Sequence, residues 1–86
     1  MPVLIRHRAP MSAAQYDESA PQLIELIKAQ PGFLAHVSYL DADGFVVAEL
    51  WETQAEHDAW FEANVAPNVP FEITQEVIEL HSIHLP

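Results

Sequence analysis

The sequence predicts an α+β fold in which four antiparallel strands form one sheet and two helices cover one of its faces, in the chain order βαββαβ. Three observations predict it. Apolar residues alternate with others in four short runs, the signature of half-buried strands. Two capping-box patterns, Ser12 with Gln15 and Thr53 with Glu56, each open a segment of helical periodicity. Between the second and third runs, Asp41-Ala42-Asp43-Gly44 reads as a hairpin turn in which Gly44 takes positive φ. At 86 residues the chain holds one domain, 1–86.

The first strand covers Val3 to Arg8, with Val3, Ile5 and His7 on one side and Leu4, Arg6 and Arg8 on the other; Pro10 stops it. Helix one follows the Ser12 cap, its apolar stripe being Tyr16, Ala20, Leu23, Ile24 and Ile27, and ends at Pro31-Gly32. Pro21 falls inside that stripe and suggests a kink, or a restart with Ser19 as a second cap. Strand two runs from Phe33 to Leu40 and strand three from Phe45 to Glu52. On strand two, strict alternation sets Phe33, Ala35, Val37 and Tyr39 against Leu34, His36, Ser38 and Leu40. Neither set is strongly polar, so both faces of the sheet need cover, and a second copy of the sheet supplies it. Helix two follows Thr53 and ends at Pro67 and Pro70; strand four runs from Ile73 to Leu85. The order is the split βαβ arrangement.

Composition narrows the function classes. Thirteen Asp and Glu stand against Arg6, Arg8 and Lys28, a formal net charge of -10. Three cations cannot build the basic groove that nucleic acid requires, and an anionic membrane surface is disfavoured for the same reason. No apolar run approaches the roughly 20 residues of a bilayer span, and MPVLIRHRAP lacks the apolar centre of a signal peptide, so a cytoplasmic location is expected. A small chain without cysteine, half of it hydrophobic, points to a partner subunit as its stabilising device. With Gly32 and Gly44 as its only glycines, the chain has no glycine-rich phosphate loop. His81 and His84 point to opposite faces of a strand and cannot chelate one ion locally. An assembled site of distant histidines and carboxylates remains open.

Pro31-Gly32-Phe33 opening strand two, Trp51-Glu52-Thr53 closing strand three and a following helix that carries Trp60 resemble the antibiotic biosynthesis monooxygenase-like proteins of the dimeric α+β barrel superfamily, over essentially the whole chain. The resemblance implies a ferredoxin-like homodimer whose two sheets close into a barrel, with a ligand pocket between sheet and helices of each protomer. The activities it implies range over cofactor-free oxygenases, haem-degrading monooxygenases, polyketide cyclases and muconolactone-type isomerases. Haem-degrading members carry their iron-ligating histidine late on the second helix, whereas His57 precedes Trp60 and Asn64 here, so no cofactor is expected.

The foremost candidate cluster is His57, Trp60 and Asn64, which spacings of three and four put on one helical face. There Trp60 would stack on a planar phenolic substrate, His57 would take its proton, and Asn64 would hydrogen-bond a carbonyl or bound oxygen. The competing account makes Trp60 and Phe61 core residues and puts His57 and Asn64 at a rim. His36 on strand two is a second acid/base candidate or a hydrogen-bonded structural histidine. His7, Tyr16, Tyr39 and Phe61 complete the substrate-binding candidates, with packing as the alternative for each. Glu49 would be a base if its face of strand three is interior; the simpler expectation is an ion pair with Arg6 or Arg8 across the sheet or across the dimer. The reading is a cofactor-independent monooxygenase for a small hydrophobic aromatic or polyketide-like molecule, with a cyclase or isomerase, or a non-catalytic binding dimer, as the alternatives.

Overall fold

The first alternating run forms β1 (Val3–Arg8), and the computed structural model, which describes residues 1–86, buries Val3, Ile5 and His7 while Leu4, Arg6 and Arg8 stay half-buried on the opposite face. Ser12 caps α1 (Ala13–Ile27) as a full capping box: its Oγ accepts from the Gln15 N–H, and the Gln15 side chain accepts from the Ser12 N–H. The helix continues through Pro21 without a restart. Ser19 does not cap, because the helix is continuous around it; its hydroxyl donates back to the carbonyls of Gln15 and Tyr16 at 3.2 and 3.4 Å.

Strands β2 (Phe33–Asp41) and β3 (Gly44–Trp51) form the hairpin, and β4 (Thr74–Glu79) closes an antiparallel sheet of order β2-β3-β1-β4. Gly44 has φ +125°, and the Asp41 carboxylate accepts the Asp43 N–H at 2.9 Å, so the turn is closed by local chemistry. β4 is shorter than the alternating run from Ile73 to Leu85: its register with β1 ends where Glu79 faces Val3, and beyond it the Leu80 N–H still donates to the Pro2 carbonyl at 3.0 Å. Its residues are all exposed in the single chain.

Helix two is not one regular helix. Thr53 caps α2 (Gln54–Trp60), which widens into a π-helix over Phe61–Val65 and tightens into a 3-10 turn over Ala66–Asn68 before the prolines end it. A π-turn inserted in an α-helix turns every later side chain back around the axis.

Val3, Ile5, Ile27, Trp51 and Trp60 form the core between sheet and helices. Trp51, fully buried, meets the edges of Phe33 and His57 at ring-centroid distances of 5.6 and 5.8 Å and joins β3 to α2. Burial of each such side chain is worth about 1.5–3 kcal/mol. The other face of the sheet carries Leu4, Val37, Tyr39, Leu50 and Ile78 around the ion cluster Arg6, Arg8, Asp41 and Glu76, with no helix above it. No helix is long and apolar enough to cross a membrane.

Candidate functional site

Pairing in β2 slips by one residue between Phe33 and Ala35: Phe33 faces Trp51, Ala35 faces Leu50, and His36 faces Glu49. In a regular strand Phe33 and His36 would lie on opposite faces. The bulge puts both on the helix side, which is how a core phenylalanine and a polar site residue come to share a short strand. The same slip turns Tyr39 to the open face, opposite Val46 and 39% exposed. The structure therefore does not bring Tyr39 to the site.

Between sheet and helices lies a cavity of about 130 Å³, walled mainly by apolar side chains of α1 and of the segment after α2, among them Leu23, Ile24 and Val65. His7, Tyr16, His36, Glu49, Trp60 and Phe61 also face it. The Tyr16 hydroxyl is 2.9 Å from His36 Nε2, and the Glu49 carboxylate is 3.8 Å from the same nitrogen. Glu49 is buried, and its Oε1 accepts a hydrogen bond from Trp51 Nε1 at 3.0 Å. Burial pushes the Glu49 carboxyl up to about 7 although the Trp51 N–H draws it down. Burial likewise lowers His36, and raises the Tyr16 phenol to about 12 with help from the neighbouring Glu49. The cavity thus holds a neutral imidazole, a neutral phenol and a carboxyl that gains or loses its proton near neutral pH.

Glu49 does not pair with Arg6 or Arg8. It shares a face with Ile5 and His7, whereas the arginines project from the other face, where Asp41 and Glu76 neutralise them at 2.7 to 3.5 Å. Within one chain the ion pair is not made, because the sheet separates the partners.

The helix-two cluster is split as well. Trp60 lines the cavity, but His57 is fully buried behind it, its Nε2 2.8 Å from His7 Nε2 and its Nδ1 2.9 Å from the Asp58 carboxylate. Asn64 lies in the π-turn, off the face that Trp60 presents, and its amide donates to the Trp60 carbonyl at 3.2 Å. Phe61 stacks on both His7 and His57 at 5.8 Å. His7 itself is held by its Nδ1, 3.1 Å from the Val47 carbonyl. Burial lowers His7 to about 4, the Val47 bond working against that, and burial also lowers His57, with Asp58 opposing. Sequence periodicity had no means of pairing His7 with His57; only the packing of α2 on β1 does so.

The chain matches the model of the antibiotic biosynthesis monooxygenase family over residues 7–66. No curated protein sequence matches it. Among solved structures it is similar to the ActVA-Orf6 monooxygenase of Streptomyces coelicolor in complex with nanaomycin D, at 18% identity and TM-score 0.64, covering 99% of this chain and 91% of that one. It is also similar to the haem-degrading protein Rv3592 of Mycobacterium tuberculosis, at 17% identity and TM-score 0.66, covering 98% of each chain. A third is SnoaB, a cofactor-independent oxygenase of Streptomyces nogalater, at 12% identity and TM-score 0.60, covering 95% of this chain and 93% of that one. Identities this low establish the shared fold and nothing finer. With the family model spanning α1, the β2–β3 hairpin and all of α2, the chain belongs to the antibiotic biosynthesis monooxygenase family.

Proposed function

We propose that the protein is a monooxygenase for a small, mainly apolar aromatic molecule, working without a bound flavin or haem, as a homodimer. The observation that carries this reading is the apolar cavity into which Tyr16, His36 and Glu49 converge. A cavity of about 130 Å³ is of the order of the roughly 150 Å³ that accommodates benzene, so the substrate is a single ring rather than a polycycle. His36, kept neutral by burial, takes the proton of a phenol, while Tyr16 and Glu49 hold the imidazole in place. The phenolate is electron-rich enough to reduce dioxygen directly. One oxygen atom enters the ring as a second carbonyl, the other leaves as water, and the substrate supplies all four electrons in becoming a quinone.

Oxygen uptake with single-ring phenols tests this. Consumption of one dioxygen per quinone formed, reduced by 10²- to 10⁴-fold in His36→Ala, supports it; uptake at the same rate in His36→Ala defeats it. The same proton-handling trio also suits an isomerase or cyclase, and turnover that persists under nitrogen would favour that reading. Sheet-to-sheet dimerisation is supported by the uncovered face with Leu4, Val37, Tyr39, Leu50 and Ile78. A cytoplasmic site of action accords with the sequence expectation.

A further inference from the structure

We propose that His7, His57 and Glu49 form a binding site for one divalent first-row transition-metal ion at the wall of the cavity. The argument starts from protons. A carbonyl oxygen can only accept, so the bond between His7 Nδ1 and the Val47 carbonyl fixes the hydrogen on Nδ1 and leaves Nε2 with a lone pair. The Asp58 carboxylate does the same to His57: its Nδ1 donates, and its Nε2 is left with a lone pair. These two nitrogens face each other at 2.8 Å. Two lone pairs at that distance repel unless a cation lies between or beside them. A proton is one choice, but both rings are buried, which disfavours a charged imidazolium there.

A metal ion fits the same geometry better. Two imidazole nitrogens at about 2.1 Å from one ion are roughly 3.0 Å apart at a right angle and roughly 3.4 Å apart in a tetrahedron. The pair is therefore nearly at ligand spacing already. A carboxylate oxygen of Glu49 and one ring nitrogen of each histidine all lie within 4.8 Å of one another, and a side-chain movement of roughly an ångström or two brings the carboxylate into the coordination shell. Two histidines and one carboxylate suit Zn²⁺, Co²⁺ or Fe²⁺. The outer partners are present too: Val47 and Asp58 hold the ring N–H groups, and Trp51 Nε1 holds Glu49, the support that metal-binding imidazoles and carboxylates ordinarily receive. His7 and Glu49 line the cavity, so the open coordination positions face it, where a phenolate or carboxylate oxygen of a ligand completes the shell. The site does not depend on the oxygenase reading, and its test reads no turnover.

The test is titration of the chelator-stripped full chain, with Co²⁺ followed by visible absorption and Zn²⁺ by calorimetry. One ion per chain is expected, with affinity unchanged in the His81→Ala, His84→Ala double variant and lost in His7→Ala and in His57→Ala. Asp58→Asn, at a half-exposed position, should weaken binding by 10- to 100-fold. Absence of binding, binding undiminished without His7 and His57, or binding abolished by removing His81 and His84 overturns the proposal. Where the His7 and His57 variants do not fold by circular dichroism, Asp58→Asn decides: tenfold weaker binding supports the site, and unchanged affinity overturns it.

Discussion

Glu49 and Trp51, two residues apart on β3, point to the same side of the sheet, and the indole N–H donates to the carboxylate at 3.0 Å inside the core. That bond gives a buried acid one fixed partner and leaves its other oxygen turned toward His36. Burial of that carboxyl, with the indole N–H working against it, is what makes stability depend on pH here.

In the metal-free protein, Glu49 and His7 should oppose each other. Glu49 is raised to about 7, so its relative stabilisation is full below its ordinary value near 4.5 and is lost as pH rises through about 7. His7 is lowered to about 4, so its contribution is present above 6.5 and is lost as pH falls through about 4. Each spans roughly 3 kcal/mol, with opposite slopes between pH 4.5 and 6.5. Urea unfolding at several pH values should show stability rising more steeply with pH in Glu49→Gln than in the wild type, and less steeply in His7→Gln. Parallel curves for all three would contradict the assignment.

Tyr16→Phe removes the hydroxyl that lies 2.9 Å from His36. We expect oxygen uptake to fall about tenfold or more as the imidazole loses its anchor, with little change in fold. Asn64→Ala and Tyr39→Phe should retain wild-type uptake, because neither side chain faces the cavity. Steady-state oxygen-electrode kinetics separate these outcomes.

Ile5 is fully buried in the core beneath the helices. Ile5→Val should cost about 0.5–1.5 kcal/mol and Ile5→Ala about 2–5 kcal/mol in denaturant unfolding. A smaller loss for the alanine would mean that the sheet collapses around the missing methyl groups.

The uncovered sheet face predicts the assembly. Sedimentation at micromolar concentration should give about twice the 9.7 kDa chain mass. Val37→Asp, placing a charge at a residue 56% exposed in the isolated chain, should shift the protein toward the single-chain mass. A single-chain mass for the unaltered protein would remove the dimer.

By itself the sequence determined the element order, the two helix caps, the hairpin turn at Gly44 and the side of β1 that enters the core. All of these follow from local chemistry or from a period of two or 3.6 over a few residues. His7, His36, Tyr16, Trp60 and Phe61 could be singled out as polar or aromatic groups on buried faces, and each lines the cavity. Which of them meet depends on packing between elements far apart in the chain. One extra residue in β2 moved His36 opposite Glu49 and turned Tyr39 outward; one π-turn moved Asn64 away from Trp60's face. Each is a one-residue change of phase that costs little locally and leaves no mark in the hydrophobic pattern, yet redirects every side chain after it. The meeting of His7 and His57, 50 residues apart, has no local signal at all: it exists because α2 packs across β1.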